Sequence, residues 1–420
     1  MKGMKRFLFI SLASLVFMGC SDSSPSADSL LEAAQKQEAG VIQSLESMVL
    51  IESGSDDLPG VAKMADYVEA RLRKLDAKVS RIKTTTGTAD IIKGTLSGNG
   101  ALRIMLIAHT DTVYGKGILD SEPLYREGNR LYGPGVADDK GGIAVILHTL
   151  DILRKQGWQN YEQITVLFNP DEEIGSIGSG EIIADEGASQ DVVLSFEPSP
   201  ARAMLGAEGV LLGAAGTGQA VLTVEGRAAH AGSAPDQGRN ALLELSHQLL
   251  QTEKVADDMD DAQLNWTTAH AGLKRNQIPA DAQASGDVRI FSEEAGERLL
   301  AALNEKVSES QLVPDTQVSV RLEPGRPPYM AGEKGIALAR KAQAIYDELD
   351  GRKLILIPRT FGGTDAGYAG RSGNPAVLES LGLAGWGYHA KNEYIEIDSI
   401  VPRLYLASRL MMELGDEYAQ

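Results

Sequence analysis

The sequence predicts an α/β fold in which a mixed, mostly parallel sheet is interrupted by an inserted α+β domain. Strand-like and helix-like segments alternate from residue 30 to about residue 214, and the same pattern resumes from residue 326 to residue 420. Between them, residues 215–325 show several alternating strands with few helices. The first pattern is typical of a sheet that helices cover on both faces. The second is typical of an antiparallel sheet with helices on one face only.

The first part of the chain supplies the clearest periodicities. Apolar residues at helical spacing predict helices, and short apolar runs predict buried strands. In chain order these are helices at 30–51 and 61–75, a strand at 102–108, a helix at 141–155, and strands at 163–169 and 192–196.

The inserted part and the last part follow by the same criteria. The inserted part has predicted strands at 219–224, 284–290 and 316–322, and helices at 240–250 and 296–307. The last part has predicted helices at 335–349 and 402–414 and a strand at 353–357. Residues 205–217, between the first part and the inserted part, form a longer stretch than we expect for a domain junction. The sequence therefore does not fix the position of the hinge between the two domains.

Composition excludes several classes of protein. The chain is 43% hydrophobic and 23% charged, which excludes an intrinsically disordered chain. Its one long apolar run lies at the N-terminus, which excludes a polytopic membrane protein. The net charge of −18 repels phosphates and anionic membranes, so no nucleic-acid partner is expected.

The N-terminus resembles an export signal. Lys2, Lys5 and Arg6 precede an apolar run at 7–18, which predicts a signal peptide over residues 1–19. The single cysteine, Cys20, follows it and resembles the lipid-accepting cysteine of a bacterial lipoprotein; cleavage by an ordinary signal peptidase is the alternative. Residues 20–29 then form a flexible tether. We expect a protein of the bacterial periplasm or envelope that meets a membrane only through a lipid on Cys20.

Acidic and histidine side chains follow the predicted strands of the first part. His109 and Asp111 come directly after one strand, Glu172 and Glu173 after the next, and Glu197 after the third. Ligands in open α/β sheets bind outside the carboxyl ends of the strands. These side chains are therefore expected at one edge of the sheet.

Each cluster alone has an ordinary structural explanation. A lone His-x-Asp can be a structural histidine, Glu172-Glu173 can be a solvated turn, and Asp138-Asp139 can cap the helix that begins near residue 141. Coincidence of all three at one sheet edge favours a functional site instead. His389, in a late glycine-rich loop, could add a second imidazole ligand.

Oxygen and imidazole ligands without thiolate suit Zn²⁺ or a similar divalent cation. We predict two Zn²⁺ per subunit, bridged by Asp138 and a water or hydroxide. His109 and Glu197 would complete one site, and Glu173 and His389 would complete the other.

Two further carboxylates would support this centre. Asp111 would orient the imidazole of His109 through its other nitrogen. If the backbone there is extended, Glu172 points away from the ligands and can act as general base and acid. Such an arrangement predicts metal-assisted amide hydrolysis.

The motifs resemble those of the co-catalytic zinc peptidases, a family that includes carboxypeptidase G, aminoacylases, dipeptidases, tripeptidases and succinyl-diaminopimelate desuccinylase. They extend over nearly the whole chain after the signal. They are His-Thr-Asp-Thr-Val at 109–113, Gly-Pro-Gly-Val-Ala-Asp-Asp-Lys-Gly-Gly at 133–142, Asp-Glu-Glu-Ile-Gly-Ser at 171–176, Ser-Phe-Glu-Pro at 195–198, Ala-His-Ala-Gly-Ser-Ala-Pro at 229–235, Asn-Gln-Ile-Pro at 276–279, Gly-Gly-Thr-Asp-Ala at 362–366 and Gly-Tyr-His at 387–389. Position 139, which is often Met in this family, is Asp here, and in this respect the chain resembles the carboxypeptidase G branch.

The resemblance adds roles that spacing does not reveal. It implies a zinc-peptidase catalytic domain at 30–214 and 326–420, with residues 215–325 as a lid and dimerisation domain. In a homodimer, His230 would reach the partner's active site and polarise the scissile carbonyl, and Asn276 would help to bind substrate. Arg289 resembles the arginine that holds a substrate carboxylate; Arg326 is a second candidate, with a structural salt bridge as the alternative. The Asp138-Asp139 peptide is expected to be cis.

The function that this resemblance implies is that of a glutamate carboxypeptidase. Such an enzyme hydrolyses the amide bond to a C-terminal amino acid, here glutamate, in folate-like substrates, peptides or N-acyl amino acids. An aminoacylase or dipeptidase of the same family is the alternative. A lipoprotein that binds peptides without cutting them is a remote alternative, because the full ligand set and Glu172 are present.

Overall fold

The structure is a computed structural model that describes residues 26–87 and 89–419. A central mixed sheet forms its larger part. In spatial order its strands are Lys78–Lys83, Asp90–Ser97, Gln163–Asn169, Arg103–His109, Val192–Ser195 and Ala376–Leu378. The first two neighbouring pairs are antiparallel and the following pairs are parallel. The predicted α/β class with a mixed, mostly parallel sheet is confirmed.

Both faces of this sheet are buried. On the strand Arg103–His109, Ile104 and Leu106 belong to one hydrophobic cluster, whereas Met105 and Ile107 belong to another. A strand that is buried on both faces needs apolar residues at every position, which explains the continuous apolar run in the sequence.

Helices cover the two faces unequally. The larger cluster lies under Ala27–Val49, Leu58–Lys74, Lys140–Lys155, Gly332–Tyr346 and Ile400–Tyr418, and the smaller under Gly180–Gly187 and Ala366–Ala369. Among the described residues, no helix is long and apolar enough to cross a membrane.

A second, antiparallel sheet forms the centre of the lid, the inserted part at 215–325. Its strands, in spatial order, are Ala262–Ala271, Asp281–Ile290, Gly216–Glu225 and Gln317–Pro324. The helices Ala241–Thr252 and Glu293–Glu309 pack on it, and separate hydrophobic clusters fill the space between. These strands fall within the predicted range 215–325, whose exact boundaries stay a prediction.

Short strands join the two sheets and order the loops. Glu208–Leu211 pairs with Leu354–Ile357, and Gly213–Ala214 pairs with Tyr329–Met330, so the long junction at 205–217 contains two short strands. A further sheet contains Tyr125–Glu127, Arg130–Tyr132, Tyr394–Glu396, Ala384–Trp386 and Ser199–Pro200, and Ala229–His230 pairs with Gln277–Ile278. The predicted signal peptide, Cys20 and the start of the tether lie outside the described residues.

Candidate metal centre and active site

Parallel strand ends bring the predicted ligands together. The strands Arg103–His109 and Gln163–Asn169 run parallel in register, with His109 opposite Asn169. Glu197 follows the neighbouring parallel strand Val192–Ser195. The carboxyl ends of all three therefore meet at one sheet edge, as predicted.

Two groups of potential metal ligands lie at this edge and share Asp138. In the first, His109 Nε2 is 3.0 Å from Asp138 Oδ1 and 3.8 Å from Glu197 Oε1. In the second, His389 Nε2 is 3.3 Å from Asp138 Oδ2 and 3.0 Å from Glu173 Oε2. Within each group the ligand atoms lie within 4.8 Å of one another. Asp138 thus offers one oxygen to each group, as a bridging carboxylate must.

The donor set fits divalent cations. It consists of carboxylate oxygens and imidazole nitrogens without thiolate, which suits zinc and similar ions. Glu173 Oε1 is buried and has no hydrogen-bond partner among the residues that the structure describes. Since buried polar atoms are nearly always satisfied, this orphaned oxygen supports a ligand at the second group.

Asp111 contacts His109 of the first ligand group and the turn that carries Glu173 of the second. Its Oδ1 lies 3.3 Å from His109 Nδ1, the nitrogen that faces away from Asp138. Its two carboxylate oxygens also accept the backbone N–H groups of Glu172 and Glu173, each at 3.1 Å. Asp111 therefore orients the imidazole and fixes the neighbouring acidic turn, and this second contact was not predicted from the sequence.

Glu172 and Glu173 lie in a 3₁₀ turn, Glu172–Ile174, rather than on extended backbone. With about three residues per turn, adjacent side chains diverge by roughly a third of a revolution. Glu173 points to His389, whereas Glu172 forms an ion pair with Arg326, at 2.5 Å between Nη1 and Oε1. The two side chains are therefore separated as expected, but a 3₁₀ turn separates them and not an extended backbone.

The loop before the helix Lys140–Lys155 serves two functions. The peptide between Asp138 and Asp139 is cis, as the resemblance implied. Asp139 caps the helix, because its Oδ1 accepts the N–H of Gly142 at 3.1 Å, while Asp138 turns into the ligand groups. Asp139 therefore fits the capping interpretation, and Asp138 lies where the metal interpretation requires it.

Burial and charge shift the pKa values of these groups when no cation is present. Burial and neighbouring charge raise the pKa of Glu172 to about 8, with Arg326 as the main opposing influence. Hydrogen bonds to Asp138 and Glu173 raise the pKa of His389 to about 10. Burial acts to raise the pKa of Asp138, but the two histidines outweigh it and lower that pKa.

A cavity of about 1160 Å³ opens above the ligand groups, between the two sheets. Arg289 lines its wall on the lid side. The guanidinium donates to Asp287 from Nε at 2.8 Å and from Nη2 at 3.1 Å, and Nη1 donates to the Phe361 carbonyl at 3.4 Å. It reaches the cavity already oriented by a carboxylate of its own strand.

The structure does not bring every predicted site residue together. Among the described residues that line the cavity, neither His230 nor Asn276 occurs. His230 is exposed, and the N–H of the adjacent Ala231 donates to the Asn276 carbonyl at 3.0 Å. The two residues therefore form a pair on the lid, separate from the ligand groups of their own chain.

Sequence reasoning missed the partners that hold the site. Arg326 is buried against Glu172 and lies 3.8 Å from Asp365, and this favours the salt-bridge alternative for it. Asp365 lies within the Gly-Gly-Thr-Asp-Ala motif at 362–366, which was recognised in the sequence without a role being assigned to Asp365. No sequence pattern pointed to Glu393, because its contacts are to residues about 255 positions away.

Comparisons of the sequence agree with this geometry. Residues 105–413 match the family described as peptidase family M20/M25/M40. Carboxypeptidase G2 from Pseudomonas sp. (strain RS-16) is 45% identical over 388 residues, which cover 92% of each chain. A succinyl-diaminopimelate desuccinylase from Gluconobacter oxydans is 28% identical and covers 74% of this chain and 81% of its own.

Solved structures show the same fold at lower identity. The metallo-carboxypeptidase Sso-CP2 from Sulfolobus solfataricus has a TM-score of 0.70 at 16% identity, covering 90% of this chain and 99% of its own. The aminopeptidase PepT from Bacillus cereus has a TM-score of 0.69 at 18% identity, covering 90% and 98%. The resemblance inferred from the motifs is confirmed. This chain belongs to the peptidase family M20/M25/M40.

Proposed function

We propose that this metal-dependent exopeptidase removes a C-terminal glutamate from folate-type or other N-acylated substrates. The observation that carries the proposal is the pair of ligand groups that share Asp138 beneath a cavity with Arg289 on its wall. The 45% identity to Carboxypeptidase G2 over nearly the whole chain supports a carboxypeptidase.

Two zinc ions are the cofactor that we propose for this centre. His109, Asp138 and Glu197 would hold one, and Asp138, Glu173 and His389 the other. When bound, such ions polarise an amide carbonyl and lower the pKa of water.

The protein's own groups would move the proton and bind the substrate. Glu172 would take a proton from the attacking water and return it to the leaving nitrogen, with Arg326 holding its carboxylate in place. Arg289 would bind the substrate's C-terminal carboxylate through two parallel N–H groups, in competition with Asp287.

We also propose a homodimer in which His230 and Asn276 serve the active site of the other subunit. The support is their position on the lid, away from the ligand groups of their own chain. Export, with a lipid on Cys20, is proposed on the sequence of the first twenty residues alone.

Of the alternatives, a dipeptidase is a second candidate that one observation favours. Asp287 and Glu323 line the same cavity as Arg289. An ammonium group, which a dipeptide carries and an N-acyl amino acid does not, would be attracted to them.

The test is hydrolysis by the purified protein, with and without Zn²⁺, of folate, N-acyl amino acids and dipeptides. N-acyl glutamate should be the fastest substrate, and amidation of its C-terminal carboxylate should lower kcat/KM by about 100-fold, the value of a charged bidentate contact. Faster hydrolysis of dipeptides would favour the second candidate. Equal rates on amidated and free substrates would contradict a carboxypeptidase.

A further inference from the structure

A buried carboxylate outside the ligand groups lies between the two loops that carry Asp138 and His389. Glu393 is only 2% exposed and follows His389 by four residues. A buried carboxylate is costly unless hydrogen bonds compensate it, so its partners indicate what it is for.

The partners of Glu393 are backbone N–H groups of the loop that leads into Asp138. Its Oε1 accepts from Ala137 at 2.8 Å and from Asp138 at 3.0 Å, and its Oε2 accepts from Gly135 at 2.8 Å. The backbone N–H of Gly133 donates to the Glu393 carbonyl at 3.0 Å. One residue thus receives four N–H groups from a loop of six residues.

These contacts fix the backbone of the residue that both ligand groups share. Asp138 Oδ1 faces His109 and Asp138 Oδ2 faces His389, at 3.0 and 3.3 Å. A small rotation of the Asp138 backbone would improve one contact at the expense of the other. The hydrogen bond from the Asp138 N–H to Glu393 restricts that rotation directly.

The segment from His389 to Glu393 is itself tightly bent. His389 and Asn392 both have a φ of 61°, a left-handed conformation that is uncommon outside glycine. Such a conformation persists where surrounding contacts determine it. The bonds from Glu393 to the opposite loop are among those contacts, so they also bear on where the His389 imidazole lies.

We propose that Glu393 is a positioning residue that fixes Asp138 relative to His389 and thereby sets the affinity for the cation between them. The proposal rests on the assignment of these two residues as ligands. It does not depend on the substrate, because Glu393 acts on the loops and not on the cavity.

The test compares Glu393→Gln with Glu396→Gln, a matched control. Glu396 is also buried and accepts two backbone N–H groups, from Arg202 at 2.9 Å and Ala203 at 3.1 Å, but neither N–H belongs to a potential metal ligand. In Glu393→Gln the amide oxygen can keep two partners, whereas the amide nitrogen meets another N–H at Gly135.

The measurement is Zn²⁺ affinity, by competition with a chelator, in variants shown to be folded by circular dichroism. Glu393→Gln should weaken binding by about 10- to 100-fold, the usual cost of removing a support of a metal ligand. Glu396→Gln should change it by less than about twofold. No substrate is present, so this result is independent of the proposed specificity.

Wild-type affinity in Glu393→Gln, or an equal loss in both variants, would overturn the proposal. If Glu393→Gln does not fold, Tyr114→Phe replaces it, because Tyr114 lies beside Glu393 and its hydroxyl donates to the carbonyl of Ala390, the neighbour of His389, at 3.0 Å. That variant should weaken Zn²⁺ binding several-fold, and unchanged affinity there would equally overturn it.

Discussion

Glu172 is an acid that lies beside the potential metal ligands but points away from them. It is buried, and the 3₁₀ turn directs its side chain to Arg326. The guanidinium of Arg326 pairs with the carboxylate of Glu172 and also donates to the backbone carbonyl of Glu172. Burial raises its pKa to about 8, against the attraction of Arg326. A buried carboxylate whose pKa is raised accepts a proton more readily than a free one, and this suits a general base.

Replacing this carboxylate should separate catalysis from metal binding. Glu172→Gln keeps the size and one hydrogen-bond acceptor for Arg326 but cannot take a proton. We expect the metal content per chain to be unchanged and kcat to fall by about 10²- to 10⁴-fold, the usual contribution of general acid–base catalysis. Glu181→Gln, at an exposed ion pair with Arg371, is the control. Unimpaired turnover would remove Glu172 as the base.

Arg289 should affect substrate binding and little else. Arg289→Ala removes the guanidinium from the cavity wall, and hydrogen bonds to charged groups contribute about 1.5 to 3 kcal/mol each. We expect KM to rise by about 10- to 100-fold with unchanged metal content, measured by steady-state kinetics and metal analysis. Arg298→Ala, on the lid helix Glu293–Glu309, breaks an ion pair with Asp261 and should leave KM unchanged. Loss of zinc in Arg289→Ala would contradict its role.

At the scale of elements, the sequence predicts what apolar periodicity controls. The strand at 163–169 is predicted with its observed bounds, and the helices of the larger cluster are predicted within a few residues. The edge strand Lys78–Lys83 is missed because its side chains are exposed and half of them are basic, as sheet edges often are. The lid strand Ala262–Ala271 is missed although its first residues alternate between buried and exposed.

The same distinction applies to the candidate site. Residues at strand ends could be predicted from the sequence because a parallel sheet brings strand ends together. The supports could not, since Arg326 and Glu393 reach Glu172 and Asp138 only after the whole chain has folded. Distances of about 150 to 255 residues along the chain leave no local pattern.

The contact between the first and third major helices contains a buried histidine. His148, on Lys140–Lys155, lies 2.9 Å from Ser44 Oγ through Nε2 and 2.8 Å from Gln37 Oε1 through Nδ1, both on Ala27–Val49. Arg71 lies 3.3 Å from Nε2. Burial, aided by Arg71, lowers the pKa of His148 to about 4.

This shift predicts acid sensitivity of the helix contact. The unfolded chain binds a proton at His148 near pH 6.5, whereas the folded chain does so only near pH 4. Stability is therefore lost as the pH falls between these values, by about 2 kcal/mol from pH 7 to pH 5. Between pH 7 and pH 5, the free energy of unfolding of His148→Gln should fall by about 2 kcal/mol less than that of the wild type. Urea unfolding at both pH values measures this difference. His270→Gln, at an exposed position, should follow the wild type; identical pH dependence of all three would contradict the assignment.

At the scale of the whole molecule, the two parts of the interrupted domain are joined by buried charges. Arg403, on the C-terminal helix, is fully buried and lies 3.1 Å from Glu208, at the start of the strand before the lid. Arg352 binds the other oxygen of Glu208 at 2.6 Å. Loss of one partner in such a group leaves a buried charge unpaired, so the junction tolerates little change.

The ligand groups join the same two parts a second time. Glu197 precedes the lid and His389 follows it, and both meet at Asp138. A cation held there by both parts would oppose their separation, so binding and folding should be linked. Without a cation, Asp138, Glu173 and Glu197 crowd together in a chain that already carries a net charge of −18.

Removal of metal should therefore destabilise the protein as a whole. A ligand present at about 100 times its Kd adds about 2.7 kcal/mol to the free energy of unfolding. Each kcal/mol shifts the Tm of a large domain by about 2 to 4 °C. We expect a chelator to lower Tm by at least several degrees and added Zn²⁺ to restore it, in scans at fixed protein concentration. In His389→Ala, which lacks the ligand from the second part, the shift should shrink markedly because the remaining ligands lie on one side of the lid. A Tm that the chelator does not change would show that the cation does not join the two parts.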